Sequence, residues 1–135
     1  MQFNATAAAF FEHANKMMDA YAVTLQPLCE QAGMPLMALD ILLFLANNPD
    51  YSTAREICRI RGFKPGIVSF HVERLVGEGL LRREAVPGDR RKTRLVCTEA
   101  AAELIEQGRA RQRGFAQRLM AGLSDAELTA LRHCM

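Results

Sequence analysis

The densest chemistry in the chain lies in "VPGDRRKTRLVCT", residues 86–98. Asp89, Arg90, Arg91, Lys92 and Arg94 crowd beside a Pro87–Gly88 turn signal. On either side, "LLRREA" (80–85) and "KTRLVC" (92–97) alternate polar and apolar residues as strands do. The stretch reads as a β-hairpin with a cationic tip. Such a tip suits a polyanion: the minor groove of A·T-rich DNA is narrow, strongly negative and attracts inserted arginine. Arg90 and Arg91 are placed for insertion, and Asp89 is expected to orient a guanidinium by a charge-assisted hydrogen bond. A merely solvated hairpin tip has the same composition, so the elements around it decide.

Those elements are helical. Apolar residues at 10, 14, 17, 18, 21, 25 and 28 make one face of a long first helix over residues 4–30, with Asn4 as its cap and "AGMP" (32–35) as its end. A helix of that length, near 40 Å, needs more cover than a chain of 135 residues can give, and its stripe calls for a second subunit. Pro35 opens a second helix that runs to residue 47 and is apolar nearly all round, hence central. "STAREICRIRGF" (52–63) is a short helix with capping-box spacing at Thr53 and Glu56, with Ala54, Ile57 and Cys58 facing inward and Gly62 ending it. After Phe63–Lys64, "PGIVSFHVERLVGEG" (65–79) is a longer helix with Val68, Val72, Leu75 and Val76 buried and Gly79 past its end. Helix, tight turn, helix and then a basic hairpin make a winged helix-turn-helix. Thr98 is expected to cap a long helix over 99–121, bent at Gly108 or Gly114, and "SDAE" (124–127) opens a short last one.

Charge is distributed to match. Residues 55–94 hold eleven Lys/Arg against five acids, a local +6, while the rest of the chain is −4. A basic middle within acidic flanks fits a polyanion-facing lobe on a differently employed frame. The four cysteines are far apart, without a C-x-x-C pair, and the histidines are scattered, so neither a disulfide framework nor a metal site is indicated. "ILLFLA" (41–46) is too short to span a bilayer and no cationic leader is evident; a reduced, cytoplasmic location is the expectation. No phosphate-cradling glycine loop, nucleophile elbow or paired-carboxylate arrangement supports an enzyme, and no cofactor is implied.

From Pro35 to Glu106 the chain resembles the MarR family of transcriptional regulators. "TAREIC" (53–58) stands for the family's "T..ELA", and "VSFHVERLVGEGLLRR" (68–83) for its "V-T/S…V-x-x-L-x-x-x-G-L-V/L-x-R". Asp89 and Arg91 match its wing "D-x-R", and "CTE" (97–99) its "L-T-E" helix start. The resemblance implies a mainly α fold of about six helices with a small β-hairpin wing. One domain over 1–135 would divide into a dimerising region (1–33 and 99–135) and a DNA-binding lobe (34–98). It implies a homodimer on pseudo-palindromic double-stranded DNA. Ser69 and Arg74, with Gly66, Ile67 and Phe70, would face the major groove or its phosphates. Lys64 would contact phosphate, Arg91 with Arg90 and Lys92 the minor groove, and Arg83 a phosphate or Asp89. Gly66, Ile67 and Phe70 depart from the small polar or basic residues usual there, leaving an apolar reading face open to thymine methyls or to weak base discrimination. His71, where an apolar residue is common, reads as a partly buried structural histidine.

The resemblance also implies a repressor released by a small aromatic or phenolic effector, for which Met17, Tyr21, Met37 and Phe44 are candidate lining residues. The same apolar positions are equally those of a core or dimer interface. Two alternatives stay open. Exposed Ile67 and Phe70 could bind a protein partner, with DNA affinity weak or lost, or a cysteine could make the protein a thiol-based sensor. For the second, Cys29 has Glu30 beside it and no adjacent cation, which raises a thiol pKa.

Overall fold

Helix α2 (Leu36–Asn47) is the axle of the fold, because "LMALDILLFLAN" offers apolar side chains in every direction. Ala38, Leu39 and Ile41 to Leu45 are all buried. Around it pack α1 (Ala7–Ala32), α4 (Pro65–Gly77), the second strand of the hairpin and α5 (Ala102–Met120). This computed structural model describes residues 7–135; Asn4, the expected cap, lies outside them. The other elements are α3 (Ala54–Arg61), β1 (Leu81–Val86), β2 (Asp89–Cys97), a 3₁₀ turn at Glu99–Ala101 and α6 (Asp125–Cys134). The described chain is therefore six helices and one two-stranded antiparallel hairpin, as the sequence implies.

Local chemistry sets the boundaries. Gly33 (φ 65°) turns the chain out of α1. Thr53 caps α3 by accepting the Glu56 N–H at 3.2 Å, and its hydroxyl donates to the Glu56 carboxylate at 2.9 Å. Ala54, expected inside, is exposed: α3 buries only one side, centred on Ile57. Ser124 and Glu127 form a complete capping box at α6, and the two Ser124 donors hold the Glu127 carboxyl below its usual range, the backbone N–H first.

One expectation about α5 is corrected. Thr98 does not cap it; its hydroxyl donates to the Gly79 carbonyl at 2.5 Å, tying the end of the hairpin to the end of α4. Helix α5 runs as one helix through both Gly108 and Gly114. Gly108 is there for contact: a Cβ on it would lie 2.5 Å from Leu43 Cδ2, so α5 reaches α2 only because that atom is missing.

Towards its start α1 runs past the other helices. Phe10 and Phe11 are 66% and 63% exposed, and Met17, Met18 and Val23 also face outward. No residue of α6 is buried. No single helix among the described residues is long and apolar enough to cross a membrane.

Gly108→Val should lower unfolding stability by about 2 kcal/mol, the usual range for overpacking a filled core. Urea denaturation followed by circular dichroism measures it; an unchanged midpoint would show that α5 can move off α2 freely.

Candidate nucleic-acid interface

The helix-turn-helix corner is built from three short-range devices. Gly62 caps α3 with φ 71°, a conformation that disfavours side-chain-bearing residues. Phe63 and Lys64 bridge to Pro65, which occupies the first turn of α4. Arg61, ending α3, forms an ion pair with Asp40 of α2, and its guanidinium lies 5.1 Å from the centroid of the Phe63 ring. The corner is thus clamped to α2 just before the longer helix begins. Val68, His71, Val72 and Leu75 bury the inner face of α4; Gly66, Ile67, Ser69, Phe70 and Glu73 face outward.

Arg74 and Arg83 are less available than the sequence implies. Arg74 Nε donates to Glu78 at 2.9 Å and its Nη2 to the Gly33 carbonyl at 2.9 Å, stapling α4 to the end of α1. Arg83 pairs with Glu73 of α4 and not with Asp89. The wing arginine and the outer face of α4 are therefore joined by an internal ion pair.

The wing itself holds the main surprise. β2 begins at Asp89, so the basic residues lie on a strand and not in the turn. The ladder pairs Ala85 with Thr93, then Val86 with Asp89, so Arg90, Arg91 and Lys92 are extruded from the register as a bulge. Gly88 (φ 82°) makes the turn. Asp89 Oδ1 accepts the backbone N–H of Arg91 at 2.9 Å, so it shapes the bulge backbone and does not orient a guanidinium as expected. The side chains of Arg90, Arg91, Lys92 and Arg94 make no ion pair or hydrogen bond with another described residue and are exposed. The base of the hairpin is fixed instead: Leu81 and Leu95 are buried, and Leu95 N–H donates to the Ser52 carbonyl at 2.7 Å.

Between the wing and α3 runs an open cleft of about 970 Å³, lined among others by Arg55, Arg59, Arg91 and Lys92. Arg55 and Arg59, four apart on the outer face of α3, were not singled out from the sequence. Their helical spacing next to a capping box was the available signal. Lys64, exposed at the start of α4, adds a further cation with no ion pair among the described residues.

A second cavity, about 310 Å³, lies where α1, α2, α3 and α5 meet. Met17, Tyr21 and Phe44 line it as expected, with Met18, Phe115, Asn47 and Gln112 and the Asp40 and Arg61 pair. Met37 is not among the lining residues; it is half-buried against the core. The Tyr21 hydroxyl accepts from Gln112 Nε2 at 2.8 Å, and the Tyr21 and Phe115 rings meet edge-on at 5.3 Å. Burial, ahead of the Asp40 charge, raises the Tyr21 pKa and keeps the phenol protonated.

The buried nucleophiles are quiet. Burial raises the thiol pKa of Cys29, with Glu30 adding to it, and burial likewise raises that of Cys97. His71 is buried with Nδ1 unpartnered among the described residues; burial first and Arg74 second lower its pKa and hold it neutral. No group of three or more His, Cys, Asp or Glu that could hold a metal occurs among the described residues.

A helix-turn-helix followed by a hairpin anchored at its base and basic at its tip defines a winged-helix protein. Residues 32–92 match the MarR family model. The whole chain is similar in fold to the S. aureus MepR–DNA complex (20% identity, 98% of this chain and 93% of that one, TM-score 0.75). It is similar to the transcriptional regulator PA3341 (25%, 93% and 91%, 0.79) and to CouR from Rhodococcus jostii RHA1 bound to p-coumaroyl-CoA (21%, 91% and 83%, 0.72). A comparison with curated protein sequences gave no match. Over residues 32–92 the chain is thus similar to the MarR family, and over its length it shares the fold of these solved structures.

Ellman's reagent at pH 8 should label the exposed Cys134 first, with Cys29 and Cys97 reacting only after denaturant is added. Fast labelling of Cys29 in the folded protein would revive a thiol-sensing role.

Proposed function

We propose that this protein regulates transcription by binding duplex DNA as a homodimer, with α4 in the major groove and the wing in the adjacent minor groove. The observation that carries this reading is the extruded Arg90–Lys92 bulge, whose cations have no partner among the described residues. Four other arginines of the lobe, Arg61, Arg74, Arg82 and Arg83, are paired, whereas Arg55, Arg59 and Lys64, like the bulge, have no ion pair among the described residues. Cations kept free at one edge, on a strand pinned to the core at its other end, are held ready for phosphates and a narrow groove. Lys64, Arg55 and Arg59 extend the positive surface to both sides of the cleft. Ser69, Gly66, Ile67 and Phe70 are the residues offered to base edges. MepR, of similar fold, has been seen with DNA.

Residues 34–98 act as the DNA-binding lobe, and 1–33 with 99–135 as the dimerising frame. The exposed apolar residues of α1 and the uncovered α6 support that division. Pseudo-palindromic sites, with half-sites about one helical turn apart, follow from the two-fold symmetry.

The cavity at Met17, Tyr21 and Phe44 takes a small aromatic or phenolic effector, whose binding relieves repression. Its wall includes Asp40 and Arg61, and Arg61 stacks on Phe63 directly before α4. An effector that competes for either partner of that ion pair acts on the start of the recognition helix. CouR, of similar fold, is known bound to p-coumaroyl-CoA.

Fluorescence anisotropy against DNA upstream of the protein's own gene tests the reading. Affinity should fall steeply between 50 and 200 mM salt, on the order of a thousandfold for several phosphate contacts. Arg91→Ala should weaken binding about tenfold and reduce the salt slope by about one per protomer. Salt-insensitive binding, or none to this DNA and to random duplex alike, would instead favour a winged-helix module that docks a protein.

A further inference from the structure

The outer face of α4 is short of hydrogen-bonding groups for a helix that reads bases. Glu73 is held by Arg83, and Arg74 is turned back onto Gly33 and Glu78. Ser69 is the remaining outward polar side chain within the helix. Beside it stand Phe70, 65% exposed, and Ile67, 39% exposed, three residues apart and so on one face. Gly66 completes the surface. A Cβ there would touch nothing within 4 Å, so the missing side chain serves no internal packing and leaves bare backbone at the first turn.

This apolar patch sits inside a positive frame. Lys64 and the helix N-terminus lie at one end, Arg55 and Arg59 on the neighbouring helix, and the free wing cations at the side. The surroundings suit a polyanion while the centre suits a hydrocarbon. In the major groove one base carries a hydrocarbon group: thymine, through its C5-methyl. Resting on the regulator reading above, we infer that Ile67 and Phe70 are specificity-determining residues that select thymine methyls in each half-site. Discrimination against G·C pairs then comes from the absent methyl, and not from a bidentate arginine or glutamine contact.

The inference makes the methyl itself the measurable quantity. A random duplex library is enriched on the full-length protein, and the best duplex is resynthesised with uracil in place of thymine, which deletes only the methyl groups. Wild type should bind the uracil duplex about fourfold more weakly for each contacted methyl. Phe70→Ala and Ile67→Ala should bind the thymine duplex more weakly and bring the thymine-to-uracil ratio towards one. Both side chains are exposed, so thermal melts should show the variants folded. Because the variants alter α4 alone, their effect on the ratio separates methyl contact from any change in groove shape felt by the wing. Equal affinity of wild type for both duplexes, or a ratio unchanged in both variants, overturns the inference while the regulator reading stands. In that case the patch is idle on DNA and left for a protein partner. If no duplex is enriched even at low salt, the regulator reading falls and this inference falls with it.

Discussion

The burial of α2 on every side is the constraint on which the rest depends. Its leucines meet the recognition helix, the wing strand and both long helices at once. Each fully buried leucine contributes roughly 1.5–3 kcal/mol, so none of these neighbours can move far without exposing the same core. One consequence is geometric. Helix α4 and the hairpin are mounted on one body, and their separation is set by packing. A second consequence concerns Gly108, which lets α5 lie against Leu43 and so joins the long C-terminal helix to the same axle.

The polar contacts divide the lobe's charges by role. Arginines facing the protein are used up as staples: Arg61 on Asp40, Arg74 on Gly33, Arg83 on Glu73. Those on the extruded segment of β2 are left alone, and Asp89 spends its carboxylate on a backbone N–H that shapes the bulge. The exposed Arg83 and Glu73 pair contributes little stability and is better understood as fixing orientation. The Asp40 and Arg61 pair also faces the cavity between α1, α2 and α5, and it is joined through Phe63 to the start of α4. Cavity and recognition helix therefore share a component.

Much of this was legible in the residues. Period and capping signals located all six helices, and Pro65, Gly62 and Gly79 marked their boundaries because proline and left-handed glycine act over one or two residues. The cationic hairpin was legible for the same local reason. What escaped was set by contacts distant in sequence. The bulge at 90–92 depends on cross-strand register, which composition does not record, and so Asp89 was assigned to the wrong donor. Arg74 and Arg83 looked free because Gly33 and Glu73 come near them only in the folded chain. Thr98 looked like a cap because the Gly79 carbonyl, nineteen residues away, is invisible to local pattern. Met17, Tyr21 and Phe44 were found as cavity residues, while Met37, on the same helix as Phe44, turned to the core.

The central claim is that a rigid lobe presents helix and wing together, and that two such lobes act as a symmetric pair. Hydroxyl-radical footprinting on a duplex enriched by the protein tests it most directly, since the radical reports sugars in the minor groove strand by strand. The account predicts two equivalent protected patches related by a two-fold axis, with centres about one helical turn apart, and wing protection in the minor groove flanking each major-groove contact. A single unsymmetrical patch, or two patches without flanking minor-groove protection, would contradict it.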